Sequence, residues 1–235
     1  AAAMDDGWKV SKVPKTPAAP TPSRPSTRPA PPVFEAIPAA LRARPAWLLW
    51  MLENRNGKAT KIPYQATPSG LSPASTTDPA TWRDFATIRA DFERWRGHGI
   101  AGVGFVLSDA DPFVGIDVDH IRNPATGELD PAAMDQARGF GSYAEYSQSG
   151  DGVHVIAIGR KPGEDCRKGN AEMYATGRYF VVTGRHIDGT PDDVTEANPG
   201  ALEALYGSIA REPRREASPA PKAPDFRPEA PDTRP

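Results

Sequence analysis

The chain has 235 residues, with 28 Lys and Arg against 30 Asp and Glu, and a formal net charge of −2 at pH 7. This balance excludes a uniformly basic nucleic-acid-binding protein, so any basic surface has to be local. The single cysteine, Cys166, excludes an internal disulfide and a multi-cysteine zinc site. No apolar run approaches the roughly 18 residues of a membrane span, and the first residues lack the pattern of a signal peptide. We therefore expect a cytoplasmic protein that does not enter the membrane.

Both ends of the chain are rich in proline. Residues 1–37 and 208–235 hold 15 of the 27 prolines, mixed with Ala, Ser, Thr and Arg. Such segments bury too little apolar surface to offset the entropy lost on ordering, so we predict disordered tails at 1–37 and 208–235. The domain between them, residues 38–207, has 17 Lys and Arg against 22 Asp and Glu. The tails are mildly basic, and the domain is acidic.

Strand and helix patterns alternate between the tails. Residues 46–52 form a continuous apolar run that is typical of a buried strand. Residues 79–96 predict a helix, because Asp78 is a candidate N-cap and large apolar residues recur at three- and four-residue spacing. The later elements are strands at 102–107 and 113–118, a short helix at 131–140, and strands at 143–147, 153–158, 172–174 and 178–182. The pattern predicts one α+β domain with a mostly antiparallel sheet.

Two carboxylates, Asp117 and Asp119, lie at the end of an apolar strand. Residues two apart on a strand project from the same face, so both carboxylates point to one side while Val118 packs on the other. Their like charges would repel, and a divalent cation such as Mg²⁺ relieves this because it binds oxygen ligands together with substrate phosphates. A solvated strand end gives the same two-residue pattern, but the preceding apolar residues favour a metal site for phosphoryl transfer.

A turn rich in Gly and Ser precedes the strand at 153–158. Gly150 and Gly152 permit a tight turn that presents backbone N–H groups, and Ser147 and Ser149 add hydroxyl donors, so the segment suits a phosphate. His154 follows directly, at the start of the strand. A histidine beside a strand is often structural, but its position after this turn favours a nucleotide contact.

A third element combines Glu172 and Arg178. Glu172 could supply a further metal ligand if its strand lies beside that of Asp117. Arg178 begins an apolar strand and could offer a guanidinium fork to a phosphate. A hairpin with an ordinary surface Glu and Arg would give the same sequence, and these residues alone leave both interpretations open.

In this order and spacing, the three elements resemble the primase-polymerase domains of the archaeo-eukaryotic primase superfamily, most of all the branch encoded by phages and plasmids. Similar segments upstream are residues 61–64 and 78–82, and residues 178–184 follow the third element, so the resemblance covers about 43–206. It implies an RRM-like, mostly antiparallel catalytic sheet with an additional N-terminal α/β unit. One departure is Glu172, where many members of the superfamily have Asp.

The resemblance assigns roles to individual residues. It implies that Asp117, Asp119 and Glu172 bind Mg²⁺ or Mn²⁺ and that His154 contacts the nucleotide. Ser149, or else Ser147, would bind phosphate beside Gly150. As further residues that would bind the triphosphate of the incoming nucleotide, we add Arg178 and, as a weaker candidate, Lys61.

The implied function is template-directed nucleotidyl transfer in phage or plasmid DNA replication. Its partners would be a single-stranded DNA template and nucleoside triphosphates. No phosphate-binding G-x-x-x-x-G-K-[ST] motif occurs, so a replicative helicase would lie on a separate chain or the sequence would be a fragment. Two alternatives remain open: a metal-dependent nuclease or other phosphohydrolase, and a non-catalytic nucleic-acid-binding accessory module. The acidic pair counts against the accessory module, because negative charge repels phosphates.

Overall fold

A computed structural model describes residues 29–123 and 126–210, which form an α+β domain with two five-stranded sheets. The first sheet has the spatial order β10 (Arg178–Val182), β4 (Ile100–Leu107), β1 (Trp47–Arg55), β2 (Lys58–Thr67) and β3 (Gly70–Pro73). The second has the order β6 (Tyr143–Tyr146), β7 (Val153–Ile158), β5 (Phe113–Val118), β9 (Ala171–Tyr174) and β8 (Arg167–Lys168). Every pair of neighbouring strands is antiparallel. The predicted α+β class and antiparallel pairing are confirmed, although the strands divide between two sheets rather than one.

Four α-helices accompany the sheets in the described part of the chain. They are α1 (Ala39–Arg42), α2 (Phe85–Trp95), α3 (Pro131–Gly139) and α4 (Pro199–Ile209). Two residues of α2, Ile88 and Phe92, are buried in the core of the first sheet. Helices α3 and α4 contribute Met134, Leu202 and Leu205 to a second core beside the second sheet. None of the helices in the described residues is long and apolar enough to cross a membrane.

The helix predicted at 79–96 is interrupted. Asp78 caps only a short 3₁₀ turn at Pro79–Thr81, and α2 begins at Phe85 with Asp84 as its N-cap. The cause lies at Arg83, whose backbone exchanges two hydrogen bonds with Trp47 at 2.8 and 3.1 Å. Because this bridge demands extended backbone, the helical conformation cannot continue through Arg83.

The packed domain extends beyond the predicted limits of 38 and 207. Phe34 and Ile37 are 5% and 1% exposed, and the ring of Phe34 meets that of Phe92 edge-on at 5.5 Å. At the other end Ile209 is fully buried in α4. These apolar side chains anchor segments that the proline content assigns to the tails. The remaining predicted tail residues, 1–28 and 211–235, lie outside the described residues.

The two faces of the second sheet have different partners. One face carries Val114, Ile116 and Val155 into the core beneath α3 and α4. On the opposite face, Phe113 and Ile156 join the core of the first sheet. Farther along the same strands, this second face carries polar residues, and there the two sheets enclose a cleft.

Candidate active site

A single row of polar side chains crosses all five strands of the second sheet. Asp117 at the centre of the row pairs with His154 of β7 on one side and Glu172 of β9 on the other. His154 in turn pairs with Glu145 of β6, and Glu172 pairs with Arg167 of β8. Directly opposed residues on antiparallel strands project from the same face, so the register places these five side chains side by side.

Asp117 is the central acid of the row, and its side chain is 24% exposed. Burial raises its pKa; the charge of His154 opposes this rise, whereas the charges of Asp119 and Glu172 add to it. Among the described residues, none donates a hydrogen bond to its buried Oδ1 atom. An unpartnered carboxylate oxygen is costly in a buried position, so this atom is suited to binding a cation or a donor from a substrate.

His154 is 4% exposed and lies between two carboxylates. Its Nδ1 is 3.2 Å from Oε1 of Glu145, while Nε2 is 3.8 Å from Oδ1 of Asp117. Burial alone would lower the pKa of His154, but the hydrogen bond to Glu145 and the charges of Asp117 and Glu145 outweigh it and raise the pKa. The edge of the ring that carries Nε2 faces Asp117 on the cleft side of the row.

Glu172 is buried, but its carboxylate already has three donors. Arg167 approaches one oxygen at 2.9 Å, and the other oxygen accepts from Tyr174 at 2.9 Å and from Arg178 at 3.4 Å. The guanidinium of Arg178 also lies over the ring of Tyr174, with 4.9 Å to the centroid. Both arginine side chains are more than half exposed, so they can turn to a phosphate if Glu172 takes another partner.

Asp119 lies directly beyond the end of β5, beside the turn at 147–152. A Cβ atom on Gly152 would lie 2.6 Å from the carbonyl oxygen of Val118 and 3.1 Å from Oδ1 of Asp119. Only glycine permits this close approach of the turn to the acidic strand. On the other side, the N–H of Asp119 donates to the carbonyl of Asn170 at 2.9 Å, and the side-chain amide of Asn170 donates to the carbonyl of Asp119 at 3.0 Å. These two bonds hold the strand end between its neighbours.

The predicted phosphate-binding turn is present, but its serine hydroxyls are used inside it. Ser147 is 3% exposed, and its Oγ accepts from the N–H of Gly152 at 3.0 Å and lies 3.2 Å from Oγ of Ser149. The side chain of Arg122 donates to the carbonyl of Gly150. Ser149 is exposed, whereas Ser147 closes the turn.

The cleft has a volume of about 390 Å³ and opens between the two sheets. The second sheet lines it with Asp117, His154 and Glu172, and the first sheet with Lys61 and Arg178. The structure thus brings these five predicted residues together. Four other predicted residues lie outside those that line the cleft: Asp119 just beyond β5, and Ser147, Ser149 and Gly150 in the turn between β6 and β7.

Lys61 is positioned by aromatic residues of the first sheet. Its carbonyl accepts a hydrogen bond from the hydroxyl of Tyr179 at 3.0 Å, and its Nζ lies 5.9 Å from the ring centroid of Trp50. Because Lys61 belongs to β2 and Tyr179 to β10, this bond joins the two edge regions of the first sheet beside the cleft. The cleft therefore has carboxylates on one wall and cations on the other.

No protein-family model matches the chain. A stretch of 168 residues is 39% identical to the DNA primase-polymerase of Nitratiruptor phage NrS-1. The aligned stretch covers 68% of this chain and 22% of the phage protein. The chain carries a domain of the phage primase-polymerase family. The resemblance inferred from the acidic pair, the Gly/Ser turn and Glu172 is confirmed at the level of the family. This primase-polymerase domain spans about a fifth of the length of that relative.

The site of the primase-polymerase domain fits a divalent cation in its donor chemistry. Asp117 and Asp119 offer hard oxygen ligands, and Oδ1 of Asp117 has no hydrogen-bond donor among the described residues. Within residues 29–123 and 126–210, no three His, Cys, Asp or Glu side chains are arranged so that together they could hold a metal ion. Such a set of three is not required, because Mg²⁺ usually completes its shell with water and substrate phosphates.

Two residues of the cross-strand row, Glu145 and Arg167, were missed from the sequence. Glu145 stands two residues after Tyr143 in β6, so alternation would have placed it on the face of Tyr143. Nothing local indicates that this face meets His154, because the pairing of β6 with β7 depends on register. Arg167 belongs to a charged segment whose composition is typical of a solvated loop, and its contact with Glu172 is visible only once β8 is paired with β9.

Proposed function

We propose that this domain is the catalytic part of a DNA primase-polymerase, which joins nucleotides on a single-stranded DNA template during phage or plasmid replication. The observation that carries the proposal is the cross-strand row of Asp117, His154 and Glu172 inside a cleft whose other wall is cationic. The similarity to the phage primase-polymerase gives independent support. Nucleoside triphosphates are the proposed substrates, and a replicative helicase on a separate chain in the bacterial cytoplasm is a proposed partner.

Mg²⁺ or Mn²⁺ would be held by Asp117 and Asp119, with Glu172 as a third ligand. The bound metal would lower the pKa of the attacking 3′-hydroxyl and neutralise charge on the pyrophosphate that leaves. Arg167, Arg178 and Tyr174 already donate to the carboxylate of Glu172, and a metal there would compete with the two arginines for the same oxygens. An arginine that is set free would then be available to an anion in the same cleft.

The remaining polar residues would bind and orient the triphosphate. Nε2 of His154 faces the cleft, and Arg178 and Lys61 stand on the opposite wall, so a chain of phosphates in the cleft would meet the histidine ring on one side and two cations on the other. Ser149 could contact a phosphate at the side of the cleft, where the exposed turn lies. Gly150 would shape this turn beside the phosphate, because its own N–H donates to the carbonyl of Ser147 at 2.9 Å. Ser147 would support them by closing that turn. No residue need act as a covalent nucleophile.

A primer-extension and de novo synthesis assay with Mg²⁺ or Mn²⁺ tests the proposal. We expect synthesis by the wild type and none by the Asp117→Ala/Asp119→Ala variant. Asp135→Ala is the matched control, because Asp135 is an exposed acid of α3 that pairs only with Arg138 in the described structure. Synthesis that persists without the acidic pair would contradict the metal assignment. Template cleavage without synthesis would favour a nuclease, and DNA binding without either activity would favour an accessory module.

A further inference from the structure

We propose that Glu145 is a positioning residue that holds the His154 ring with Nε2 directed into the cleft, and that it affects nucleotide binding through this histidine. The inference rests on the proposed function, in which His154 contacts the triphosphate. Glu145 itself does not line the cleft, and its side chain is 1% exposed. It lies behind His154, on the side of the ring away from Asp117.

The carboxylate of Glu145 is fully engaged by donors. Oε2 accepts from the hydroxyl of Tyr143 at 2.9 Å and from the N–H of Gly184 at 2.9 Å. The N–H of Thr183 lies 2.9 Å from Oε1 and 3.1 Å from Oε2. A carboxylate that accepts this many hydrogen bonds is held in one orientation.

This fixed carboxylate determines which atom of His154 faces the substrate. Oε1 of Glu145 already accepts from the N–H of Thr183, so it faces Nδ1 of His154, at 3.2 Å, as an acceptor, and Nδ1 carries the proton between them. Nε2 is then the atom left for the cleft, where Asp117 lies 3.8 Å away. A histidine whose inner nitrogen is held in this way loses its freedom to flip or to present the wrong tautomer.

Glu145 also connects the two walls of the cleft. It belongs to β6 of the second sheet, whereas Thr183 and Gly184 directly follow β10 of the first. Strand β10 carries Phe180, whose ring meets the ring of His154 edge-on at 5.7 Å. The same carboxylate therefore holds His154 directly and holds the strand that packs against it. A purely structural role would act through β10, and a positioning role acts through His154.

A double-mutant cycle separates the two roles. We would measure binding of ATP and dATP with Mg²⁺ but without template, by calorimetry, for the wild type, Glu145→Gln, His154→Ala and the double variant. Glu145→Gln should weaken binding about 10-fold, the lower end of the range for partners that orient a functional histidine. In the His154→Ala background the same change should have no further effect. Equal losses in both backgrounds, or no loss in either, would overturn the inference.

Side-chain ¹⁵N NMR on the wild type gives a test that does not depend on the stability of a variant. Such a test is needed because Glu145→Gln sets an amide NH₂ group among backbone N–H donors, which lowers the stability of the variant. Thermal unfolding would measure that loss of stability. In the wild type we expect a proton on Nδ1 of His154 with the shift of a hydrogen-bonded imidazole. A ring protonated on Nε2 alone would overturn the inference, because Nδ1 could then not donate to Glu145.

Ser142→Ala is the matched control for the loss of a buried hydrogen bond. The Ser142 hydroxyl is buried just before β6 and donates to the carbonyl of Ile156, away from His154. This variant should lose stability and keep wild-type nucleotide binding. A loss of binding equal to that of Glu145→Gln would overturn the inference, since it would show that any buried defect near β6 has the same effect. Failure of the proposed function is separate: it would appear as synthesis that survives loss of Asp117 and Asp119.

Discussion

Strands β4 and β5 follow each other in the chain and are both apolar, yet they have different roles. Strand β4 is buried along its whole length between β10 and β1 of the first sheet. Its Gly102 and Gly104 make room for the rings of Trp50 and Tyr179. Strand β5 lies at the centre of the second sheet, and its cross-strand neighbours at Asp117 are polar. The comparison shows that the residues opposite a strand, more than its own hydrophobicity, decide whether it forms part of a polar cluster.

The largest expected effect separates activity from stability at β5. Asp117→Asn should lower kcat for synthesis by at least about 10²–10³-fold, the scale for losing one electrostatic stabiliser at a reacting centre. Without divalent cation it should nevertheless raise the melting temperature, because burial raises the pKa of Asp117 and an amide carries no charge to desolvate. Asp135→Asn on α3 serves as control. A variant that melts below the wild type would contradict this reasoning.

A substitution in β4 should lower stability, whereas Asp117→Asn in β5 should raise it. A Cβ atom on Gly104 would lie 2.5 Å from Cδ2 of Tyr179, so Gly104→Val should overpack the first sheet and cost about 1–3 kcal/mol of unfolding free energy. Urea unfolding measures this loss. Gly139→Ala, where an added Cβ meets no atom within 4 Å, should be neutral or slightly stabilising. Equal stability of the two variants would show that the close approach of Tyr179 is not a constraint.

Metal binding at Asp117 of β5 and at Asp119 just beyond it should raise the unfolding free energy of the protein. If Mn²⁺ binds the folded state alone, a concentration ten times its Kd should add about 1.4 kcal/mol to the unfolding free energy. For a domain of this size that corresponds to a rise of about 3–6 °C in melting temperature. The shift should disappear in Asp117→Asn/Asp119→Asn and persist in Gly139→Ala. A shift that survives in the acidic-pair variant would place the cation elsewhere.

The site was predictable from the sequence where short-range rules apply. Because residues two apart on a strand share a face, the sequence predicted that Asp117 and Asp119 point to the same side. The glycines before His154 indicated a turn. Cross-strand register then brought Glu172 and His154 to Asp117, as the resemblance implied. The turn was correct, but the inward direction of the Ser147 hydroxyl depends on the N–H of Gly152, five residues away.

Long-range pairings account for what the sequence did not reveal. Arg83 interrupts the predicted helix because it pairs with Trp47, 36 residues earlier in the chain. Glu145 is polar within a strand that would otherwise be apolar. The role of its side chain depends on Thr183 and Gly184, which follow β10 of the other sheet. The division into two sheets has the same origin, since β4 and β5 are joined by a short turn and still take different partners. Local periodicity contains no information on such pairings.

The smallest expected effect concerns α2, which covers the first sheet. Asp84 caps this helix by accepting from the N–H of Thr87 at 2.9 Å, so Asp84→Ala should cost about 1 kcal/mol of unfolding free energy without changing nucleotide affinity.

The hydrogen bonds to Thr87 lower the pKa of Asp84 below its ordinary value of 3.8. The contribution of the ionised cap is therefore fully present above pH 3.8 and lost as the pH falls through the lower pKa of the folded state. Urea unfolding at neutral and acidic pH should show the gap between wild type and variant narrowing on acidification. A gap that widens would mean that Asp84 does not act as an ionised cap, whereas a change in nucleotide affinity would mean that a defect at the start of α2 reaches the cleft.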